Sequence, residues 1–254
     1  MASGLELVRS PISARERLIL ALDLDDLEEV KKLVQLLAGE VGMFKVGKQL
    51  FLHAGPQGVK LIQEMGGEVF LDLKFHDIPN TVSKAAIEAT RLGVKMFNVH
   101  ASGSHEMMHR TAREVQRVCQ QESLRHPIIL AVTVLTSLNK SDLTRVGVDG
   151  EVIDQVVRLA ALSKEAGVDG VVASSHEVAQ IRAACGRQFL IVCPGIRPRG
   201  TDEDDQSRVM TPGEAMRIGA DYIVVGRPIT EAKDPLHAAR AIVAEMEISV
   251  RTPS

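Results

Sequence analysis

The sequence has no tryptophan, one tyrosine and six phenylalanines among 254 residues. Aromatic content of 3% removes the stacking platforms on which single-stranded nucleic acids are held. Charge of one sign is equally scarce: 30 Lys plus Arg against 33 Asp plus Glu leave a net charge of −3, in interspersed signs. No basic stripe is available to neutralise phosphates along a duplex, so nucleic acid is not an expected partner. Cysteine is limited to Cys119, Cys185 and Cys193, an odd number without C-x-x-C spacing. Neither a disulfide framework nor a cysteine-based zinc site is indicated, and a reducing cytosol fits. No run approaches the roughly 18 unbroken apolar residues of a membrane span, and the opening MASGLELVRSPISARER lacks the apolar core of a signal peptide. A cytoplasmic protein without a membrane partner is expected. Linkers and low-complexity tracts are missing too, so the chain reads as one domain over 1–254, with 1 to about 15 and 251–254 as terminal extensions.

What is present is a 45% apolar content distributed in a repeating pattern. Short runs rich in Val, Ile and Leu alternate with longer segments of helical period. The runs are RLILALDL from Arg17, MFKVGK from Met43, EVFLDLKF from Glu68, MFNVHAS from Met96, PIILAVTVL from Pro127, GVVASS from Gly170, FLIVCPGI from Phe189 and YIVVGRPI from Tyr222. Between them lie segments such as DLEEVKKLVQLLAG from Asp26 and EVIDQVVRLAALSKEAG from Glu151, with apolar positions every three to four residues and a closing Gly. Eight such units in a chain of this length predict an α/β fold of the single (β/α)8 TIM-barrel type. An open doubly wound sheet would place a Gly-rich turn after the first strand, and ALDLDDLEE has no G-x-G-x-x-G.

Catalytic residues of such barrels lie at the C-terminal ends of the strands, so charges there are informative. Strand one ends in Asp23, strand two carries Lys45, strand three carries Asp72 and Lys74 before Asp77, and strand eight ends in Gly226 and Arg227. In LDLKF the strand period of two sends Leu71, Leu73 and Phe75 towards the helices and Asp72 and Lys74 into the barrel. Lys45 points inward at a similar height, and Asp77 follows where HDIPNT turns into the next helix. A buried ion pair could serve only to fill the barrel. An alternating Lys-Asp-Lys-Asp set at the catalytic end is poorly explained that way, because hydrophobic replacement of such a cluster is often neutral or stabilising.

The loops after strands seven and eight, PGIRPRGTDEDDQSR and VVGRPI, stand where these barrels frequently hold a phosphate. Gly leaves backbone N–H groups accessible there and Arg bonds phosphate bidentately, so a phosphorylated small molecule is implied. His76, His100 and His105 form no H-x-x-x-H pair, and the TDEDD run from Thr201 lacks EF-hand spacing, so no metal is assigned. Cys193, inside an apolar strand, reads as inert core.

Residues 71–81, LDLKFHDIPNT, carry the order D-x-K-x-x-D-I-x-x-T, which resembles the signature of the orotidine 5′-phosphate decarboxylase family in its compact bacterial form. ALD at 21–23, FKVG at 44–47, LTS at 135–137, PGIRP at 194–198, Gln206 and VVGRPI from Val224 follow in the order of that family. The resemblance implies decarboxylation of orotidine 5′-monophosphate to UMP and CO2, the last step of de novo pyrimidine nucleotide synthesis, with no cofactor. It implies a homodimer with shared sites, in which Asp77 and Thr81 reach the site of the other subunit. Lys45, Asp72, Lys74 and Asp77 would form a charged tetrad with Lys74 as proton donor. Asp23 and Lys45 would hold ribose hydroxyls, and Thr136 and Ser137 would sit at the pyrimidine. Gln206, Arg227 and the Gly226 amide would grip the phosphate, supported by Arg197.

Sister barrels acting on 3-keto-L-gulonate 6-phosphate, or making hexulose phosphate, share the D-x-K-x-x-D core. They use Mg2+ and place an acidic ligand at the end of strand two, where this sequence has Lys45, Val46, Gly47 and Lys48. A phosphate-ligand sensor that kept the barrel is a further possibility, since fold alone does not fix function. The intact tetrad argues against it.

Overall fold

A computed structural model describes residues 12–198 and 210–251. Eight parallel strands close on themselves in sequence order, with β1 paired to β8. They are β1 (Leu18–Ala21), β2 (Met43–Gly47), β3 (Val69–Phe75), β4 (Met96–His100), β5 (Ile128–Val132), β6 (Gly170–Val172), β7 (Leu190–Cys193) and β8 (Tyr222–Val225). Around them run α1 (Ala14–Arg17), α2 (Leu27–Leu37), α3 (Lys48–Glu64), α4 (Pro79–Arg91), α5 (His105–Glu122), α6 (Lys140–Arg145), α7 (Val152–Glu165), α8 (Val178–Cys185), α9 (Pro212–Arg217), α10 (Arg227–Thr230) and α11 (Pro235–Arg251). This is the (β/α)8 barrel that the sequence predicts. Each of the eight apolar runs holds one strand, although PIILAVTVL leaves the sheet after Val132 and GVVASS after Val172.

The helices form where the pattern places them. Asp26 caps α2 by accepting the Glu28 N–H at 2.8 Å, and Val30, Leu33, Val34 and Leu37 are buried on one face. Burying each such side chain contributes roughly 1.5–3 kcal/mol. α7 buries Val156, Leu159 and Ala160 at the same spacing, and the chain then turns through Gly167 at φ 85°.

The strand period of two divides the core in two. Leu18, Leu20, Phe44, Val46, Val69, Leu71, Phe97 and Val99 face the helices in one continuous cluster. Ile19, Met43, Phe70, Met96, Leu130, Leu190 and Tyr222 fill the barrel interior. The interior is therefore apolar at the N-terminal end, and the next inward positions, two residues further along each strand, form its catalytic end. The segment read as an N-terminal extension joins the barrel from Ile12 onward. Ile12 packs against the interior cluster, and Ser13 caps α1 in a reciprocal capping box with Glu16. The three cysteines are free and buried, and burial pushes the Cys193 thiol up to about 12, as an inert core residue requires.

The N-terminal rim of β7 and β8 is tied by Arg182 of α8. Its guanidinium donates to the Gly219, Phe189 and Gly186 carbonyls and pairs with Asp221, whose carboxylate also accepts the Ile191 N–H at 2.8 Å. An Arg182→Met substitution would leave the partly buried Asp221 carboxylate with the Ile191 N–H but no cation, and would take the guanidinium donor from several carbonyls. It is expected to lower stability by about 2–4 kcal/mol, read as a lower urea midpoint. A loss under about 0.5 kcal/mol would show that water replaces the guanidinium at no cost.

Candidate active site

The inward positions above the apolar interior carry Lys45 on β2, Asp72 on β3 and Asn98 on β4. These align because the strands pair in register, Lys45 beside Phe70 and Gly47 beside Asp72. Lys45 Nζ donates to Asp23 Oδ1 at 2.9 Å and lies 3.4 Å from Asp72 Oδ2. Lys74 Nζ donates to Asp72 Oδ1 at 2.6 Å. The result is a chain of alternating charge, Asp23, Lys45, Asp72, Lys74, whose two central side chains are each only 12% exposed while Asp23 is 61% exposed.

Burial alone would raise the Asp72 carboxyl. The Lys45 and Lys74 ammonium groups and the hydrogen bonds from Lys74 and Asn98 outweigh it and hold the group below the ordinary carboxylate range. Asp72 is thus a fixed negative charge between two cations. Gly47 makes room for this: a Cβ there would lie 3.2 Å from both Asp23 Oδ1 and Lys45 Nζ.

Lys74 occupies a left-handed backbone conformation, φ 55°, which costs a residue with a side chain about 1–2 kcal/mol. The strain coincides with a break in the β3–β4 register. Leu71 pairs with Phe97 and Phe75 with Val99, so Asp72, Leu73 and Lys74 together stand opposite Asn98. Leu73 and Phe75 still pack outward against the helices, in the alternation read from LDLKF. Asn98, 1% exposed, is a site residue that the charges at the strand ends do not point to. Its amide donates to Asp72 Oδ1 at 2.7 Å and its carbonyl accepts the Lys74 N–H at 2.8 Å. Its signal lies in MFNVH, where the inward parity that makes Met96 core puts Asn98 one step higher.

Asp77 is not part of the cluster within this chain. Its carboxylate accepts the Ile78 N–H at 2.6 Å and is exposed, and Thr81 is exposed on the first turn of α4. One chain therefore holds the tetrad as a triad plus a carboxylate on the rim, with Ile78 beside it 65% exposed.

Lys45, Asp72 and Lys74 border a cavity of about 190 Å³ whose other walls include Val132, Val134, Thr136, Val172, Pro194 and Val224. Thr136 thus reaches the same space as the charges. Ser137 follows it in the exposed loop after β5. Arg197 follows β7, and its N–H donates to the Met210 carbonyl at 3.2 Å, drawing together the two ends of the polar loop. Gln206 lies outside the described residues. Gly226 closes β8 and Arg227 opens α10, exposed, two and three residues beyond Val224 of the cavity wall.

The histidines fall elsewhere. His76 and His100 lie with ring centroids 5.3 Å apart, and His105 stacks on His109 at 5.6 Å. Burial, then the charges of His76, Lys74 and Lys48, bring His100 down to about 4, so its imidazole is neutral at pH 7.

Residues 16–242 match the family described as orotidine 5′-phosphate decarboxylase / HUMPS. The chain is 54% identical over 233 residues to the orotidine 5′-phosphate decarboxylase of Geotalea daltonii, covering 92% of this chain and 97% of that protein. It is 53% identical over 244 residues to that of Moorella thermoacetica, covering 96% of each. Among solved structures, orotidine 5′-phosphate decarboxylase from Lactobacillus acidophilus superposes with a TM-score of 0.79 at 38% identity, over 90% of this chain and 98% of that one. With a closed eight-stranded barrel, an inward Lys-Asp-Lys chain at its catalytic end and more than half of its aligned residues shared with such relatives, the chain belongs to the orotidine 5′-phosphate decarboxylase / HUMPS family.

Proposed function

We propose that this protein converts orotidine 5′-monophosphate to UMP and CO2 without a cofactor, as the last step of de novo pyrimidine nucleotide synthesis in the cytoplasm. The observation that carries the reading is the Lys45–Asp72–Lys74 chain lining a cavity whose other walls are mostly apolar, in a chain 54% identical to a relative of that name.

The chemistry needs such a site. Breaking the bond between C6 and its carboxylate leaves the electron pair at C6, in an orbital orthogonal to the pyrimidine π-system. No ring carbonyl delocalises it, so the protein must stabilise a localised charge. A preoriented ammonium does this, and it counts for more against apolar walls than in water. Lys74, whose ammonium pairs with Asp72 at 2.6 Å, is the group placed for that role, and its Nζ proton passes to C6 to complete UMP. The neutral amine is then reprotonated from solvent.

The remaining roles are assigned as the family resemblance implies them. Asp23 and Lys45 hold ribose hydroxyls, and Thr136 and Ser137 contact the pyrimidine edge. Gly226 and Arg227, with Arg197 and Gln206 from the loop after β7, bind the phosphate. Two subunits share each site, Asp77 and Thr81 being contributed by the neighbour. The exposed Asp77 carboxylate and the exposed Ile78 beside it support that arrangement. Among the described residues, no helix is long and apolar enough to cross a membrane.

The test is the loss of orotidine 5′-monophosphate absorbance on adding purified protein, with EDTA present throughout. Conversion to UMP is expected. No conversion by folded protein would overturn the reading, and turnover of keto-sugar phosphates on adding Mg2+ would then assign the chain to the metal-dependent branch.

A further inference from the structure

Asn98 is buried between the two residues on which the proposed chemistry depends, and no part of the decarboxylation scheme uses it. Its two amide atoms are not interchangeable there. The Lys74 N–H can only donate and takes Oδ1 at 2.8 Å, whereas the Asp72 carboxylate can only accept and takes Nδ2 at 2.7 Å. Both bonds fall within the stretch where β3 leaves register with β4, and where Lys74 sits in the left-handed region. A residue held in such a conformation persists only when its surroundings over-determine it.

We propose that Asn98 is a positioning residue, whose amide fixes the strained Lys74 backbone and the Asp72 carboxylate together so that Lys74 Nζ meets the cavity at the height of the reacting carbon. This rests on the reading of Lys74 as proton donor. One hydrogen bond sets where the lysine stem starts, and the other orients the carboxylate that receives its ammonium 2.6 Å away. Misplacing a reacting group by about 1 Å can cost on the order of 100-fold in rate.

The experiment compares Asn98→Ala, Asn98→Asp and Lys74→Ala with the parent protein, by steady-state decarboxylation from pH 5.5 to 8.5, UMP binding and thermal melting. Asn98→Ala is expected to lower kcat about 30- to 100-fold with KM within about threefold, because the loss falls on the transition state. Asn98→Asp separates positioning from bulk structure. When protonated, the introduced carboxyl donates to Asp72 and accepts the Lys74 N–H, as the amide does. When ionised, it repels Asp72. Its kcat relative to the parent should therefore rise at least about tenfold as the pH falls through the range.

Folded Asn98 variants with kcat within twofold of the parent at every pH would overturn the proposal while Lys74→Ala remains inactive. If Lys74→Ala is itself active, the reading of the site fails instead. Should Asn98→Ala not fold, the pH dependence of the near-isosteric Asn98→Asp decides in the same way.

Discussion

Lys74→Ala is expected to lower the turnover of orotidine 5′-monophosphate by about 10⁴-fold or more while changing UMP affinity less than about tenfold. The size follows from two functions in one group. Removing a fixed charge aimed at a developing anion costs about 10²–10³-fold, and removing a positioned proton donor costs about 10²–10⁴-fold. Affinity for UMP is spared because the product carries no charge at C6, and the contacts proposed for its ribose and phosphate fall on other residues. The fold should tolerate the change. Alanine at φ 55° bears a backbone penalty like that of the lysine it replaces, and Asp72 keeps Lys45 and Asn98 as partners. Single-turnover decarboxylation and UMP titration, with a melting curve as control, measure all three quantities. Residual turnover above about 1% of the parent would remove Lys74 from the role of proton donor, because the lost group would then be worth less than about 3 kcal/mol.

A sequence pattern reveals what depends on local period and misses what depends on where two strands disagree. The eight strands were legible because the apolar runs between capped helices are too short to be helices and too apolar to lie in surface loops. The inward direction of Asp72 and Lys74 was legible because alternation fixes the face of every residue in a strand. The same rule ends where the strand ends. It says nothing of Asp77, which lies past Phe75, where the chain turns and the carboxylate accepts the Ile78 N–H; only the family resemblance gives Asp77 a place, in the site of the other subunit. The bulge at Lys74 was not legible, since nothing about a lysine marks a left-handed position in the way a glycine would. Asn98 hid for a related reason. A single asparagine within MFNVH looks like a defect in a strand, and only the bulge opposite it gives both ends of its amide a partner. The far limit of β5 illustrates the same dependence on a neighbour. Thr133 still donates to the Val172 carbonyl at 3.2 Å, but β6 offers nothing further and the run TVLTS becomes loop at the cavity mouth.

Mixing two inactive variants is expected to restore activity. If Asp77 of one subunit completes the site around Lys74 of the other, a dimer of one Lys74→Ala subunit and one Asp77→Asn subunit contains one site with both defects and one with neither. Random reassortment of equal amounts makes about half the dimers mixed, so about a quarter of parental activity should return. A site built within one chain gives the opposite result, because each site of the mixed dimer would then keep a single defect. The structure makes the experiment decisive. Lys74 pairs with Asp72 in its own chain, and the Asp77 carboxylate, exposed at the start of α4, makes its hydrogen bond to Ile78. Reassortment under mild denaturant followed by the decarboxylation assay supplies the number. Recovery of less than about 2%, with mixed dimers verified by mass, would place Asp77 outside the neighbour's site and leave Asp72 as the carboxylate partner of Lys74.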